Sequence, residues 1–452
     1  MNGKLLDSNK TIPFIHFLNG IIVFSILFFT PKIGYSQNPI SPPGFYFVDP
    51  SAKVFNDGKL YVYGSTDENP NYYCSGSHDI LYTENMIDWN ISKNVFASKG
   101  VNDQVPYNDA VLFAPDAIKV ADTYYLYYCQ PYLQAPEGVA TSKNPLGPFI
   151  NGEKIDLKGH NQIDPSVFID DDGAAYYLWG QFNLKMAKLN AGMKTIDART
   201  LQKNIITEKN HYFHEGAYLT KRQGIYYLVY SDISREDKPT SIGYATSTSP
   251  FGPYTYRGVI IDNNGANPNS WNNHGSIIEY KNQWYVFYHR STHGVRTMRK
   301  ACVEKIIFLE DGSISEVEMT SQGAGPPLKA TTKIDAAVAC LLHGNVRIKK
   351  ESDINEILSE FKNKDAAIYK YLDFGDGVST LKIRVKSILG GKLNVYSDKP
   401  WNKKLATLKV QANKDWQTII VPVKNETGIH ALWLEASGSD GELFEIDWFQ
   451  FD

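Results

Sequence analysis

Cysteine is scarce in this 452-residue chain, and none of the four present, Cys74, Cys129, Cys302 and Cys340, has metal-ligand spacing. They allow three full pairings, and buried free thiols are the simpler expectation. Excess charge is also missing. The formal net charge is −3 and no block of like charge occurs. That excludes a nucleic-acid surface and a charged interaction tail. The N-terminal apolar stretch from Ile12 to Phe29 is interrupted by His16 and Asn19, so its unbroken core is short for a membrane span. No long helical periodicity runs through the next three hundred or so residues.

The N-terminal stretch has another reading. Lys4 and Lys10 flank it, and Gly34-Tyr35-Ser36 sets small residues at −3 and −1 before Gln37. This is the pattern of a secretory signal peptide. Residues 1–36 are expected to be removed near Ser36, giving a secreted or periplasmic protein with no integral membrane association. A short membrane anchor is the alternative. The absence of cysteine near the cleavage point argues against a lipid anchor there. Export permits disulfides. The length suggests two or three domains.

Aromatic residues are abundant, at 13%, with 29 tyrosines. Such a bias suits half-buried strands and surfaces that stack on sugar rings.

An internal repeat organises the first two thirds. Five segments share one pattern: DPSAKVFNDGKLYVYG from Asp49, APDAIKVADTYYLYY from Ala114, DPSVFIDDDGAAYYLWG from Asp164, EGAYLTKRQGIYYLVYS from Glu215 and HGSIIEYKNQWYVFYHR from His274. Each runs from an anchor through a short apolar strand and a polar turn to a Tyr-rich strand. The turns centre nine residues after the anchor, at Gly58, Thr123, Gly173, Gly224 and Gln283, as hairpins require. The anchors stand 65, 50, 51 and 59 residues apart. That leaves room for four short strands per unit. Five radially repeated four-stranded units predict an all-β, five-bladed β-propeller over residues 37–325. A β-sandwich array is the alternative.

In a propeller, equivalent residues of the innermost strands face one axis. Asp49, Asp164, Glu215 and His274 then meet in one funnel, with Ala114 in the fifth slot. Like charges buried together drive their pKa values apart, the arrangement that acid–base chemistry uses. The alternative is that each anchor merely caps a strand or turn.

These segments resemble glycoside hydrolase family 43 over about residues 40–320. The resemblance rests on Asp49-Pro50, on Phe113-Ala114-Pro115-Asp116 where the family shows Trp-Ala-Pro-Asp, on Ile163-Asp164-Pro165, on Glu215-Gly216 and on His274-Gly275. It implies an inverting glycosidase with Asp49 as general base, Glu215 as general acid and Asp164 raising the pKa of Glu215. Inversion needs two carboxyl groups about 6.5–9.5 Å apart with a water between them. Sequence alone does not assign acid and base. The resemblance also suggests a calcium ion, held largely through water, beside His274. Calcium prefers oxygen ligands, and a hydrogen-bonded structural histidine is the other reading. No organic cofactor is expected. Phe113, Asp116, Trp179 and Arg296 are candidate substrate contacts. Phe113 and Trp179 equally suit packing between blades, and Arg296 a solvated loop.

Texture changes after Thr320. Gly323, Gly325, Pro326 and Pro327 mark a boundary. Beyond it LKIRVKS, KLNVYSD, KLATLKV, WQTIIVPV, HALWLEAS and LFEIDWFQFD read as strands of a β-sandwich over 326–452. The series from YLDFG onward resembles family 6 carbohydrate-binding modules. Tyr369 and Trp416 fall at the positions of that family's sugar-clamping aromatic pair. Glu445 stands where the family shows Asn. A module retained as structural support is the alternative to a sugar binder.

The expected substrate is a plant-type glycan carrying arabinofuranose or xylose, cleaved as by an α-L-arabinofuranosidase or β-xylosidase. A β-galactofuranosidase, an endo-arabinanase and a non-catalytic glycan-binding propeller are the alternatives. A sucrose- or fructan-cleaving relative would carry Arg-Asp-Pro and Glu-Cys, where this chain has Ile163-Asp164-Pro165 and Glu215-Gly216.

Overall fold

The second strand of each repeat is an almost unbroken run of Tyr, Val, Leu and Phe, and each is buried on both faces. Strands covered on both sides read as continuous apolar runs rather than alternations. The computed structural model, which describes residues 37–131, 137–236 and 238–452, builds five antiparallel sheets around these strands. The expected signal peptide, residues 1–36, lies outside the described residues.

Blade one is β1 (Phe47–Val54), β2 (Leu60–Thr66), β3 (Ser77–Thr83) and β4 (Asn90–Ala97). Blade two is β5 (Phe113–Val120), β6 (Thr123–Cys129), β7 (Gly138–Ser142) and β8 (Ile150–Lys154). Blade three is β9 (Ser166–Ile169), β10 (Ala175–Trp179) and β11 (Lys185–Lys188). Blade four is β12 (Phe213–Arg222), β13 (Ile225–Asp232), β14 (Ser241–Ser247) and β15 (Thr255–Asp262). Blade five is β16 (Ser276–Tyr280), β17 (Gln283–Arg290) and β18 (Lys300–Ile306). The innermost strands β1, β5, β9, β12 and β16 are neighbours in a closed ring. The hairpin turns are tight: Gln223 and Gly224, and Lys281 and Asn282, all have φ between 50° and 79°, as two-residue turns matching strand twist demand.

Adjacent residues of each second strand face opposite neighbours, because side chains alternate along a strand. Tyr128 packs among blade-one residues and Tyr127 among blade-three residues. Tyr176 joins blades three and four, and Tyr227 joins four and five. Phe287 and Val303 of blade five pack with Phe47, Leu60 and Val62 of blade one. Five inter-blade cores thus close the circle. The N-terminal segment completes the closure beside β18. Ile40 N donates to Ala301 O at 2.9 Å. The Asn38 side chain acts as a strand peptide, donating from Nδ2 to Val303 O at 3.1 Å and accepting at Oδ1 from Val303 N at 2.9 Å.

The C-terminal residues form two six-stranded sheets. One contains Ala366–Asp373, Ile429–Ser437, Gly391–Ser397 and Lys403–Val410; the other contains Asn355–Phe361, Phe444–Phe451, Thr380–Ser387 and Asn413–Pro422. A single apolar core lies between them. The described residues from Gln37 to Asp452 belong to one compact unit. Lys300 Nζ on β18 donates to Glu356 Oε2 at 2.6 Å with both side chains buried, which ties the propeller to the sandwich. No helix among the described residues is long and apolar enough to cross a membrane. All four cysteines are buried free thiols.

Candidate active site

Proline explains how the anchors turn inward. It has no N–H for a strand ladder and sits at bulges. The β1–β2 register shifts between Val48 and Ser51, around Asp49-Pro50. The β5–β6 register shifts between Phe113 and Asp116, around Ala114-Pro115. Asp49, Ala114 and Asp164, each followed by proline, have φ of 53°, 28° and 59°. Such bulges re-aim a side chain. In blade four the bulge follows Glu215, and Gly216 takes the positive φ, 67°. A Cβ on Gly216 would stand 3.0 Å from the His274 ring, so glycine lets blades four and five approach closely.

The ring therefore gathers Asp49, Asp164, Glu215 and His274. Asp49 is buried. Its Oδ2 accepts from Ser65 Oγ at 2.9 Å, and its Oδ1 from Arg299 Nη1 at 3.3 Å. His274 Nδ1 lies 3.8 Å from the same Oδ1. His289 Nδ1 accepts the Asp49 backbone N–H at 3.3 Å, so its proton sits on Nε2, which donates to Asn272 Oδ1 at 3.1 Å. Burial, then the charges of Arg299 and His274, push the His289 pKa far down. Burial also lowers His274, partly opposed by Asp49 and Glu215. Both imidazoles are neutral near pH 7.

Asp164 is buried, and its pKa is raised well above the usual carboxylate range. Burial is the largest cause, followed by repulsion from Glu215 and Asp49. The repulsion between Asp164 and Glu215 is mutual, so ionising both together is unfavourable. Glu215 is half-buried and accepts at Oε2 from Gln181 Nε2 at 2.7 Å. Glu137, deeper in blade two, adds charge near Asp164 and is itself pushed up to about 7 by burial.

Several residues that the repeat did not single out complete the site. Asp67, at the end of β2, holds Arg299 by two bonds of 2.9 Å, from Nε and Nη2. Arg299 also lies over the Tyr73 ring, 4.8 Å from its centroid. Within residues 293–300 the arginine that reaches the funnel is Arg299, not Arg296. Arg296 is exposed and stands 5.2 Å from the Trp271 ring in a cleft of about 360 Å³ that Tyr73 also lines.

Three expected substrate contacts are corrected. Asp116 is buried under the funnel, where it binds Ser51 Oγ at 2.6 Å, Lys53 Nζ at 3.1 Å and Val167 N at 2.7 Å. It pins blades one, two and three together on the axis. Trp179 is fully buried between blades, with Nε1 donating to His160 O at 2.6 Å. Tyr369 is fully buried in the sandwich core, donating to Ala336 O at 2.9 Å and packed on Phe449. The expected clamp of Tyr369 with Trp416 does not form. Trp416 lies on a sheet face with Nε1 donating to Glu351 Oε1 at 3.2 Å, and with Lys386 Nζ 4.7 Å from its ring. Glu445 is engaged by Lys349 and Lys386. Phe113 is half-buried at the start of β5.

Calcium finds no ready-made cage beside His274. The nearby carboxylate of Asp49 already faces Arg299. Among the described residues no group of three or more His, Cys, Asp or Glu is placed to hold a metal.

Comparisons agree with this architecture. The family model for glycosyl hydrolases family 43 matches residues 36–314, and that for carbohydrate binding module (family 6) matches 337–452. A xylosidase/arabinosidase of Thermoclostridium stercorarium is 29% identical over 89% of this chain and 96% of its own. The crystal structure of a family 43 arabinoxylan arabinofuranohydrolase from Bacillus subtilis, in complex with cellotetraose, is 27% identical. It superposes with a TM-score of 0.55 over 93% of this chain and 98% of that one. A β-xylosidase/α-arabinofuranosidase from a compost metagenome, in complex with xylotriose and in a calcium-free form, is 28% identical. Its TM-score is 0.54 over 63% of this chain and 98% of that one.

Proposed function

The chain belongs to glycosyl hydrolases family 43, and we propose that it releases arabinofuranose or xylose from plant-type polysaccharide or oligosaccharide with inversion at the anomeric carbon. It is a glycosidase of the α-L-arabinofuranosidase/β-xylosidase type, and its substrate is carbohydrate. The observation that carries the reading is the gathering of Asp49, Asp164 and Glu215 from blades one, three and four in one funnel, where burial and the charges of Glu215 and Asp49 raise the pKa of Asp164.

In the proposed reaction Asp49 takes a proton from water as the water oxygen attacks the anomeric carbon. Glu215 gives its proton to the departing glycosidic oxygen. One C–O bond forms, one breaks, and the two carboxyl groups exchange protonation states. Arg299 and Ser65 fix the Asp49 carboxylate, while Gln181 leaves Glu215 Oε1 free to face the leaving oxygen. The partly buried site strengthens these interactions relative to water. Asp164 is the third carboxyl group of the cluster, placed beside Glu215 to orient it. A calcium ion beside His274 would be held largely through water and would add positive charge to the funnel. The proposed place of action is outside the cytoplasm, after cleavage near Ser36.

Nitrophenyl α-L-arabinofuranoside and β-D-xyloside, together with arabinoxylan, test the reading. Hydrolysis of at least one is expected, lost on every substrate in Asp49→Asn and on arabinoxylan, whose leaving group needs protonation, in Glu215→Gln. Turnover of β-galactofuranosides or of linear arabinan alone would reassign the sugar. No hydrolysis of any glycan would leave a binding propeller.

A further inference from the structure

The cleft beside the carboxyl cluster has a charge pattern that hydrolysis itself does not use. Tyr73 forms part of its wall, and Tyr73 lies under Arg299, which binds Asp49. The cleft is therefore one side chain from the reacting groups. Trp271, 36% exposed, stands in the same wall. Two cations face its ring: the Arg296 guanidinium at 5.2 Å and Lys238 Nζ at 5.8 Å. Among the described residues the lining contains both cations and no carboxylate, with Asn71, Asn269 and Ser270 beside them. Arg235, close in sequence, is engaged by Asp262 and Glu316, whereas among the described residues no carboxylate pairs with Lys238 or Arg296.

A neutral pentose chain needs an aromatic face and hydroxyl partners but not two cations. A uronic acid unit needs all three. Its pyranose ring suits an aromatic face, and its carboxylate suits the fork of an arginine backed by a lysine. We propose that this cleft is a subsite for a uronic acid residue of the polysaccharide, next to the sugar being released. The inference rests on the glycosidase reading for its position, and on Trp271, Arg296 and Lys238 for its ligand.

Binding is measured on Glu215→Gln, so that nothing turns over. Calorimetry compares a xylo-oligosaccharide carrying one glucuronic acid with its uncharged counterpart. The acidic oligosaccharide is expected to bind about fivefold more tightly at low ionic strength, the upper scale of an exposed charge pair. That advantage should collapse on adding Arg296→Gln and Lys238→Gln, and separately in about 0.5 M salt, where screening is strong. Equal affinity for the two ligands, or an advantage that survives both salt and charge removal, overturns the subsite. Wild-type turnover separates this from the underlying reading. Hydrolysis without acidic preference in binding keeps the glycosidase and removes the subsite. Acidic preference without hydrolysis of any pentoside keeps the subsite and removes the proposed reaction.

Discussion

Gln181 Nε2 donates to Glu215 Oε2 at 2.7 Å, from the segment that follows the last strand position of β10. In the proposed reaction this bond leaves the other Glu215 oxygen, Oε1, to face the leaving group. Gln181→Ala is expected to lower kcat about tenfold on substrates with poor leaving groups, a fraction of the 10²–10⁴ that general acid catalysis supplies. Substrates with an activated aryl leaving group need little protonation and should lose far less. Equal losses on both, measured by steady-state kinetics, would assign Gln181 a purely structural part.

Lys300 and Glu356 bind across the propeller–sandwich boundary with both side chains buried. Removing one partner strands the other charge. Lys300→Met should therefore cost about 3–5 kcal/mol, while the double change to Met at both positions should recover much of it. Urea unfolding of the single and double variants checks this.

Burial holds Glu304 up at about 8 and Glu137 at about 7, against an ordinary 4.5. Between 4.5 and these values the folded protein keeps protons that the unfolded chain has released. Their contribution to stability is therefore complete below about 4.5 and is lost as pH rises to about 8. Glu304→Gln should flatten the fall in melting temperature between pH 5 and pH 8. A Gln side chain still accepts at the Oε1 position, where Asn38 Nδ2 and Thr320 N donate. An unchanged slope would place the proton elsewhere.

Tyr369 lies in the sandwich core rather than on a sugar-binding surface. Tyr369→Ala should cost about 3–5 kcal/mol, as large aromatic truncations in cores do. A surface clamp residue would cost under about 0.5 kcal/mol. Chemical denaturation separates the two.

The anchors were legible in sequence because a repeat fixes backbone slots: Asp49, Ala114, Asp164, Glu215 and His274 all lie within two residues of the start of an innermost strand. Six C-terminal strands were legible for the same kind of reason, alternation with turns between, whereas the strands Arg347–Ser352 and Asn355–Phe361 carry weaker patterning. Side chains that reach the site from outside the repeat register were not legible. Arg299 and Arg296 share one basic stretch, and only the course of the chain decides which turns inward. Asp67 has no repeat signature. Asp116, Trp179 and Tyr369 carry polar or amphipathic side chains that suit either a sugar or a buried hydrogen bond, and in each case a buried partner claims them.

The central claim is a single displacement run by Asp49 and Glu215. Proton NMR during the first minutes of arabinofuranoside or xyloside hydrolysis reads the configuration of the released sugar before it mutarotates. The account predicts the inverted anomer from wild type and no measurable release from Glu215→Gln. Initial release of the retained anomer, or full activity in Glu215→Gln, would contradict it.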